Sequence, residues 1–382
     1  MSQILTIEKV VHGGFGLARG AHGAVLVPGT LPGEVVDASE AGKRNGMTVM
    51  AVDFLRDRSA DRREPVCAHY GECGGCDWLF IRYERQLVLK SEIFIESMKR
   101  IGRLTDFPEP ATVAAQEYGY RCRAQLKCDR KTRSTGFFKR RSNDVVAVRR
   151  CPLLSERLNS LLEKIHEQPG IVPKTVHNIR IIDGDAAVAS DPVLAPFTGP
   201  STEITCGTAR FSLRGDDFFQ SNRYCLKELA DCVRYPGGGG LLVDLYGGTG
   251  FFSVMLSGTF EKTLLVETDH RMVTRAKKNF RNNRVRNGNV IAAPAEEMER
   301  FVPRHPDLLV VDPPRPGLTR KVRETIADLK PGTVAYVSCN CATQARDCGY
   351  LVNRAGYSVE ATWLIDLYPN THHTETVVIL KK

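Results

Sequence analysis

No stretch of this 382-residue chain approaches the ~18 consecutive apolar residues that span a bilayer. The opening MSQILTIEKVVHGG also lacks the basic, apolar, then small order of a secretory leader. These absences argue against a membrane-spanning or secreted protein and lead us to expect a soluble, cytoplasmic one with no membrane partner. The twelve cysteines follow no regular framework, so in that setting they read as thiols, metal ligands or catalysts rather than disulfides. Acidic residues are in deficit, 44 against 53 Lys and Arg, giving a formal net charge of +9 and a pI near 9.0. Phosphate backbones are drawn to such surfaces by counterion release, which makes nucleic acid the natural partner. Solubility is the plainer account of the same charge. The length suits two or three domains with real cores.

Residues 1–57 read as a small all-β unit. Short apolar runs at Ile4–Ile7, Ala24–Pro28, Glu34–Asp37 and Met47–Val52 are punctuated by Gly13, Gly14, Gly20 and Pro32-Gly33. About five short strands suit an OB-like barrel, a common nucleic-acid scaffold, although an accessory domain without a ligand would look the same. After a charged linker comes CAHYGECGGCDW, with Cys67, Cys73 and Cys76 separated by five and then two residues. Cys151 follows after a gap of 74 residues, directly before Pro152. Structural zinc usually takes two short Cys/His pairs. Three clustered cysteines and a distant one beside proline look more like a [4Fe–4S] site, with zinc as the alternative. The three-and-two spacing of a radical-generating cluster is missing. Cys122 and Cys128 are alternative ligands that fit the local strand pattern better as partly buried thiols.

A helix is expected over 82–101, with Leu87, Phe94, Met98 and Ile101 on one face and Gly102 as its stop. This helix could pack on the catalytic half. Residues 116–195 read as strands and hairpins, at Tyr120–Asp129, Thr135–Phe138 and Val145–Val148. Lys139-Arg140-Arg141 and Arg149-Arg150 make this part basic, equally consistent with a solvated face and an RNA-contacting one. We therefore expect a central α+β domain over 64–199.

From about 200 the grammar is βαβ, giving an α/β fold with a Rossmann-like domain over 200–382. The strand ending at Leu245 runs into Tyr246-Gly247-Gly248-Thr249-Gly250, where a cofactor can approach the backbone. The next strand ends in Glu267, 23 residues after Asp244, and a carboxylate there suits ribose hydroxyls. An NAD enzyme would share both features. A further strand ends in Asp312-Pro313-Pro314-Arg315 and another in Ser338-Cys339-Asn340. Cysteine is often merely a small buried residue, but Cys339 joins Asp244, Glu267 and Asp312 on one rim of the sheet, where a thiolate could attack a substrate.

Asp312-Pro313-Pro314-Arg315 followed by Val337-Ser338-Cys339-Asn340, with Phe218-Phe219-Gln220-Ser221-Asn222 upstream and His372-His373-Thr374-Glu375-Thr376 downstream, resembles the RNA uracil-C5 methyltransferase family. The four-cysteine set and an N-terminal segment that looks like a TRAM domain extend the resemblance over nearly the whole chain. It implies an S-adenosylmethionine-dependent enzyme in which Cys339 is the nucleophile and Glu375 the base. Gln220, Tyr246, Glu267 and Asp312 match positions that contact the cofactor or hold the site. Cys67, Cys73, Cys76 and Cys151 match a structural [4Fe–4S] cluster that shapes the RNA surface. The branch carrying both barrel and cluster acts mostly on 23S rRNA, and a monomer is expected. Transfer RNA is the runner-up substrate, and a non-catalytic RNA-binding or assembly protein is the rival from another class. Three positions depart from the pattern: Gly247 where Cys is frequent, Pro294 where Asp or Asn is usual, and Cys341 in place of a common proline.

Overall fold

The computed structural model describes residues 2–235 and 237–382. Strands β1 (Gln3–Val11), β2 (Phe15–Gly20), β3 (Gly23–Pro28), β4 (Val35–Arg44) and β5 (Met47–Asp57) close into a barrel in the order β1-β2-β3-β5-β4. Alternating positions fill it: Leu5 and Ile7, Val25 and Val27, Val36 and Ala38, with Ala18 and Met50. That is the period-two pattern of a sheet with one buried face. Glu34, wholly buried, accepts from Leu31 N at 2.8 Å, Ser59 N at 3.0 Å and Arg62 Nη2 at 2.8 Å. The barrel is thereby tied to the segment that follows.

Helix α1 (Tyr83–Arg100) and the short strand β6 (Ala111–Val113) come next. A five-stranded antiparallel sheet then forms from β7 (Arg123–Cys128), β8 (Thr135–Phe138), β9 (Val145–Ala147), β10 (Asn178–Asp183) and β11 (Val188–Asp191), in the order β11-β10-β7-β8-β9. Helix α2 (Glu156–Glu167) covers one face of it with Leu158, Leu161, Leu162 and Ile165. The sequence reading, strands throughout 116–195, missed this helix. Its signals are a 3.6-residue apolar period and Ser155, whose hydroxyl accepts from Leu158 N.

The hairpin β12 (Ser201–Cys206) and β13 (Ala209–Arg214) and helix α3 (Leu226–Cys232) precede the first βα unit, so the βαβ grammar begins later than residue 200. The elements β14 (Gly239–Leu245), α4 (Phe251–Leu256), β15 (Phe260–Glu267), α5 (His270–Asn282), β16 (Gly288–Ala292), β17 (Leu308–Val311), α6 (Arg320–Leu329), β18 (Thr333–Ser338), α7 (Cys341–Ala355), β19 (Ser358–Ile365) and β20 (Glu375–Lys381) follow. They build one eight-stranded sheet, order β16-β15-β14-β17-β18-β20-β19-β6. Strands β14 to β18 run parallel, and β20 is inserted antiparallel between β18 and β19. This is an α/β fold built on a mostly parallel sheet with one antiparallel strand inserted.

Strand β6 pairs with β19 at the far edge, and α1 packs against α7. The central segment therefore contributes one helix and one edge strand to the catalytic half. The buried face of α1 matches the expected one at Phe94 and Met98 but not at Leu87, which is half-buried, or Ile101. Tyr83, Gln86, Leu89, Lys90, Ile93, Phe94, Ser97 and Met98 point inward, whereas Ile101 is 47% exposed. Helix crossing is close at Gly102 and Gly349: a Cβ on Gly349 would stand 2.2 Å from Gly102 O, and one on Gly102 would stand 2.7 Å from Ala345 O. Gly102 thus does more than stop α1. Among the described residues no helix is long and apolar enough to cross a membrane.

Candidate active site

The carboxyl ends of β14, β15, β17 and β18 form one rim, as parallel connections require. Asp244, buried within β14, accepts from Ser253 N at 3.0 Å and Ser253 Oγ at 2.7 Å through Oδ2. Its Oδ1 has no partner. Burial pushes its carboxyl up to about 6, with Glu267 adding to the rise and the Ser253 hydrogen bonds opposing it. Tyr246 takes a left-handed backbone, φ 61°, to turn the chain into the glycine segment. Glu267 at the end of β15 receives Gly248 N at 3.0 Å and Asp269 N at 2.8 Å, which fixes its carboxylate at the mouth of that turn. Buried backbone curvature, an unpartnered carboxylate oxygen and a fixed acidic side chain suit an adenosyl cofactor with a ribose and a charged amino-acid end.

Asp312 follows β17. Burial raises its carboxyl to about 7, and the charge of Asp244 adds to the effect. Cys339 follows β18 and is half-buried. Burial pushes its thiol up to about 11, Glu375 and Asp312 push the same way, and Arg315 opposes them by charge and hydrogen bond. Asn340 caps α7, accepting from Ala342 N at 3.1 Å, while its Nδ2 donates to Arg315 O at 3.0 Å. One residue thus starts the helix and fastens the Asp312–Arg315 loop beside the thiol.

Glu375 opens β20. Ser338 is paired with Thr376 across the antiparallel β18/β20 ladder, so one further step of the same register sets Cys339 opposite Glu375. Burial holds the Glu375 carboxyl well above the usual range, and Asp312 reinforces this. Tyr368, half-buried, lies near the same groups, its phenol raised by desolvation and then by Glu375 and Cys339. His373 lies 3.5 Å from Arg315 Nη2, and burial, then His372 and Arg315, depress it to about 3. Gln220, also buried, sits in the segment that meets β7: Cys122 N donates to Ser221 O at 2.9 Å.

The rim thus brings together Cys339, Asp312 and Glu375, with Asp244 and Glu267 alongside. Arg315, Tyr368 and the His372–His373 pair carry no assigned role in the sequence reading. Arg315 was visible as the last residue of Asp312-Pro313-Pro314-Arg315, whereas Tyr368 offered no local signal. Cys341 is turned away from the site, its Sγ 3.5 Å from Ser97 Oγ and 3.6 Å from His12 Nδ1. Pro294 precedes the short turn Ala295–Arg300, donates nothing, and accepts from Glu297 N at 3.0 Å. Gly247 is pressed on Leu265, and a Cβ there would stand 2.4 Å from Leu265 Cγ. A side chain at this position therefore requires Leu265 to move.

Cys67, Cys73, Cys76 and Cys151 line one small cavity of about 40 Å³, with Tyr70, Leu79, Phe137, Val148 and Leu154 around it. Burial raises the Cys76 thiol strongly, and Cys151 and Cys73 add to the effect, so the four sulfurs are mutual neighbours. Among the described residues no three His, Cys, Asp or Glu side chains converge on a single ion position. Cys122 and Cys128 do not line this cavity. The Cys122 thiol donates to Ser221 O at 3.2 Å, and Cys128 accepts from Thr135 Oγ1 at 3.8 Å.

A family model described as tRNA (Uracil-5-)-methyltransferase matches residues 216–382. An uncharacterized RNA methyltransferase of Aquifex aeolicus is 30% identical over 425 residues, covering 99% of this chain and 98% of its own. The 23S rRNA (uracil(1939)-C(5))-methyltransferase RlmD of Aeromonas hydrophila is 28% identical over 429 residues, covering 99% and 96%. Among solved structures, the Pyrococcus abyssi tRNA (uracil-54, C5)-methyltransferase in complex with S-adenosyl-L-homocysteine shares the fold. Its TM-score is 0.76 at 21% identity, over 98% of this chain and 100% of that one. With relatives that align from end to end and a family model over residues 216–382, the chain belongs to the RNA uracil-C5 methyltransferase family.

Proposed function

We propose that the protein methylates carbon 5 of a uridine in 23S rRNA, with Cys339 as nucleophile and Glu375 as base. The observation that supports this reading is the β18/β20 ladder, whose last pair is Ser338–Thr376, so that Cys339 and Glu375 are the next residues on the two chains and Glu375 acts on the Cys339 thiol by charge. Carbon 5 of uracil is too weak a nucleophile to take a methyl group unaided. The Cys339 thiolate adds to carbon 6, forming an S–C bond and sending the ring electrons toward carbon 5 and the carbon-4 oxygen. Arg315 favours the thiolate and offsets the neighbouring carboxylates. S-adenosylmethionine supplies an electrophilic methyl group, for which Gln220, Tyr246, Glu267 and Asp312 form the binding residues. Glu375 then takes the carbon-5 proton, the carbon 5–carbon 6 double bond re-forms, and the Cys339 thiolate leaves. A stacked base cannot reach the rim, so the uridine is flipped out of its strand. The barrel and basic surfaces hold the opened RNA.

The four cysteines around the small cavity fit a structural [4Fe–4S] cluster. The four thiols crowd one cavity, and burial raises those of Cys73, Cys76 and Cys151, which makes their thiolates unfavourable unless a cation neutralises them; a cluster is bulkier than one ion, so its ligands need not converge on a point. The cluster would hold the Cys67–Cys76 segment against the central sheet. Barrel, cysteine set and end-to-end likeness to the Aeromonas hydrophila protein favour ribosomal RNA. The fold shared with the Pyrococcus abyssi enzyme keeps a transfer-RNA substrate as the second reading. Incubation of the protein with each RNA and labelled S-adenosylmethionine decides between them. Label in 23S rRNA is expected, and label in transfer RNA alone overturns the assignment.

A further inference from the structure

We propose that helix α1 positions the catalytic loop, with Gln86 and Lys90 setting residues 366–371 and, through them, Glu375. This inference rests on the methyl-transfer reading above. Gln86 and Lys90 are one turn apart on the same face of α1, and both are wholly buried. Lys90 Nζ donates to Asp366 Oδ1 at 2.7 Å and to Tyr368 O at 3.1 Å, and Asp366 Oδ1 also accepts from Tyr368 N at 3.2 Å. Gln86 Oε1 accepts from Asn370 N at 2.8 Å, while its Nε2 donates to Asn370 Oδ1 at 3.1 Å.

Asn370 is itself wholly buried in a left-handed backbone, φ 67°, a conformation that costs energy unless its surroundings enforce it. Neighbouring segments complete the grip. Trp78 N donates to Asn370 O at 3.1 Å, Arg63 Nη2 to Asn370 Oδ1 at 2.6 Å, and Tyr120 Oη to Pro369 O at 3.0 Å. The loop between β19 and β20 is thus held largely from outside the catalytic sheet.

Stability alone is a poor reason for this arrangement. A buried ion pair such as Lys90–Asp366, 0% exposed on both sides, can often be exchanged for apolar residues without loss. What the polar array supplies is direction. It fixes the course of a loop that carries Tyr368 beside Cys339 and delivers Glu375 to its place in β20. A base displaced by about 1 Å can lose on the order of a hundredfold in rate.

The test uses the full chain with Gln86→Met, Lys90→Met and the double variant Lys90→Met/Asp366→Met, which leaves no unpaired buried charge. With the RNA that wild type methylates, kcat should fall roughly ten- to a hundredfold, while KM for S-adenosylmethionine stays within about twofold. A covalent protein–RNA adduct should also accumulate on denaturing gels, because proton removal lags behind thiolate addition. Wild-type kcat, or a fall that only follows the folded fraction and brings no adduct, overturns the proposal. Should wild type methylate no RNA, the methyl-transfer reading fails, and hydrogen exchange over residues 367–374 judges the clamp by itself. Faster exchange in Gln86→Met supports it, and unchanged exchange overturns it.

Discussion

Cys339 and Cys341, two residues apart, present their thiols to opposite environments. Cys339 meets Arg315, Glu375 and Asp312 at the rim, whereas Cys341 is buried between Ser97 Oγ and His12 Nδ1. The chain turns into α7 at this point, with Asn340 as its cap, and the first helical side chain is directed back onto the packed face. Position 341 therefore joins helix α1 and the barrel rather than chemistry. Replacing Cys341 by Ala should leave kcat within about twofold and cost on the order of 1 kcal/mol in stability. Replacing Cys339 by Ala should abolish 5-methyluridine formation while keeping affinity for S-adenosylmethionine. Nucleoside mass spectrometry and thermal melting check both.

Glu375→Gln keeps shape and hydrogen-bonding capacity but cannot take a proton. Thiolate addition and methyl transfer should proceed, and the enzyme should stop as a methylated, covalently bound RNA complex visible on denaturing gels. The same variant should melt higher than wild type at pH 8, because an amide removes a buried ionisable group.

Asp312 gives the stability of the free protein a defined pH dependence. Its folded value, about 7, lies above the ordinary 3.8, so the native state keeps a proton that the unfolded chain releases. Native stability is therefore lost as pH rises from about 4 through about 7. Asp312→Asn removes this dependence. Its melting temperature should exceed that of wild type by a margin that widens from about pH 5 to about pH 8, worth more than ~1 kcal/mol at the upper end. A constant margin contradicts the assigned shift.

Activity should run the other way with pH. The Cys339 thiol is pushed up to about 11, so the thiolate fraction grows throughout the accessible range. The rate constant for RNA should climb from about pH 6 to about pH 9 without reaching a plateau. Arg315→Ala removes the positive charge that favours the Cys339 thiolate. The variant should be slower at neutral pH and recover part of its rate at alkaline pH.

The cysteine site is tested apart from catalysis. Anaerobically purified wild type should be brown and contain about four irons per chain. Cys151→Ser should lose the colour, the iron and thermal stability together. A colourless wild type carrying one zinc would replace the cluster by a structural zinc ion.

The placing of three candidate residues on one rim was legible because each closes an apolar run: Glu267 at the end of β15, Asp312 after β17 and Cys339 after β18. Strand ends in a parallel sheet share one edge, so linear order translates directly into proximity. That Cys339 and Glu375 meet came only from the resemblance, since their approach depends on the antiparallel register of β20, whose last pair with β18 is Ser338–Thr376, and not on any local pattern. The buried face of α1 was legible at Phe94 and Met98, but its polar members were not, for a related reason. Gln86, Lys90 and Ser97 look like solvent-facing residues until Asn370, Asp366 and Cys341 supply their partners. Helix α2 was missed although its cap and period were present, because the strands around it dominated the reading.

RNA in which the target uridine is replaced by 5-fluorouridine tests the central claim most directly, because fluorine cannot leave as a proton and the covalent complex is held. Incubated with the protein and S-adenosylmethionine, it should yield a stable adduct whose peptide mass spectrum places a methylated fluorouridine on Cys339. Methyl transfer to ordinary RNA with no such adduct, or an adduct on Cys341, would contradict the account.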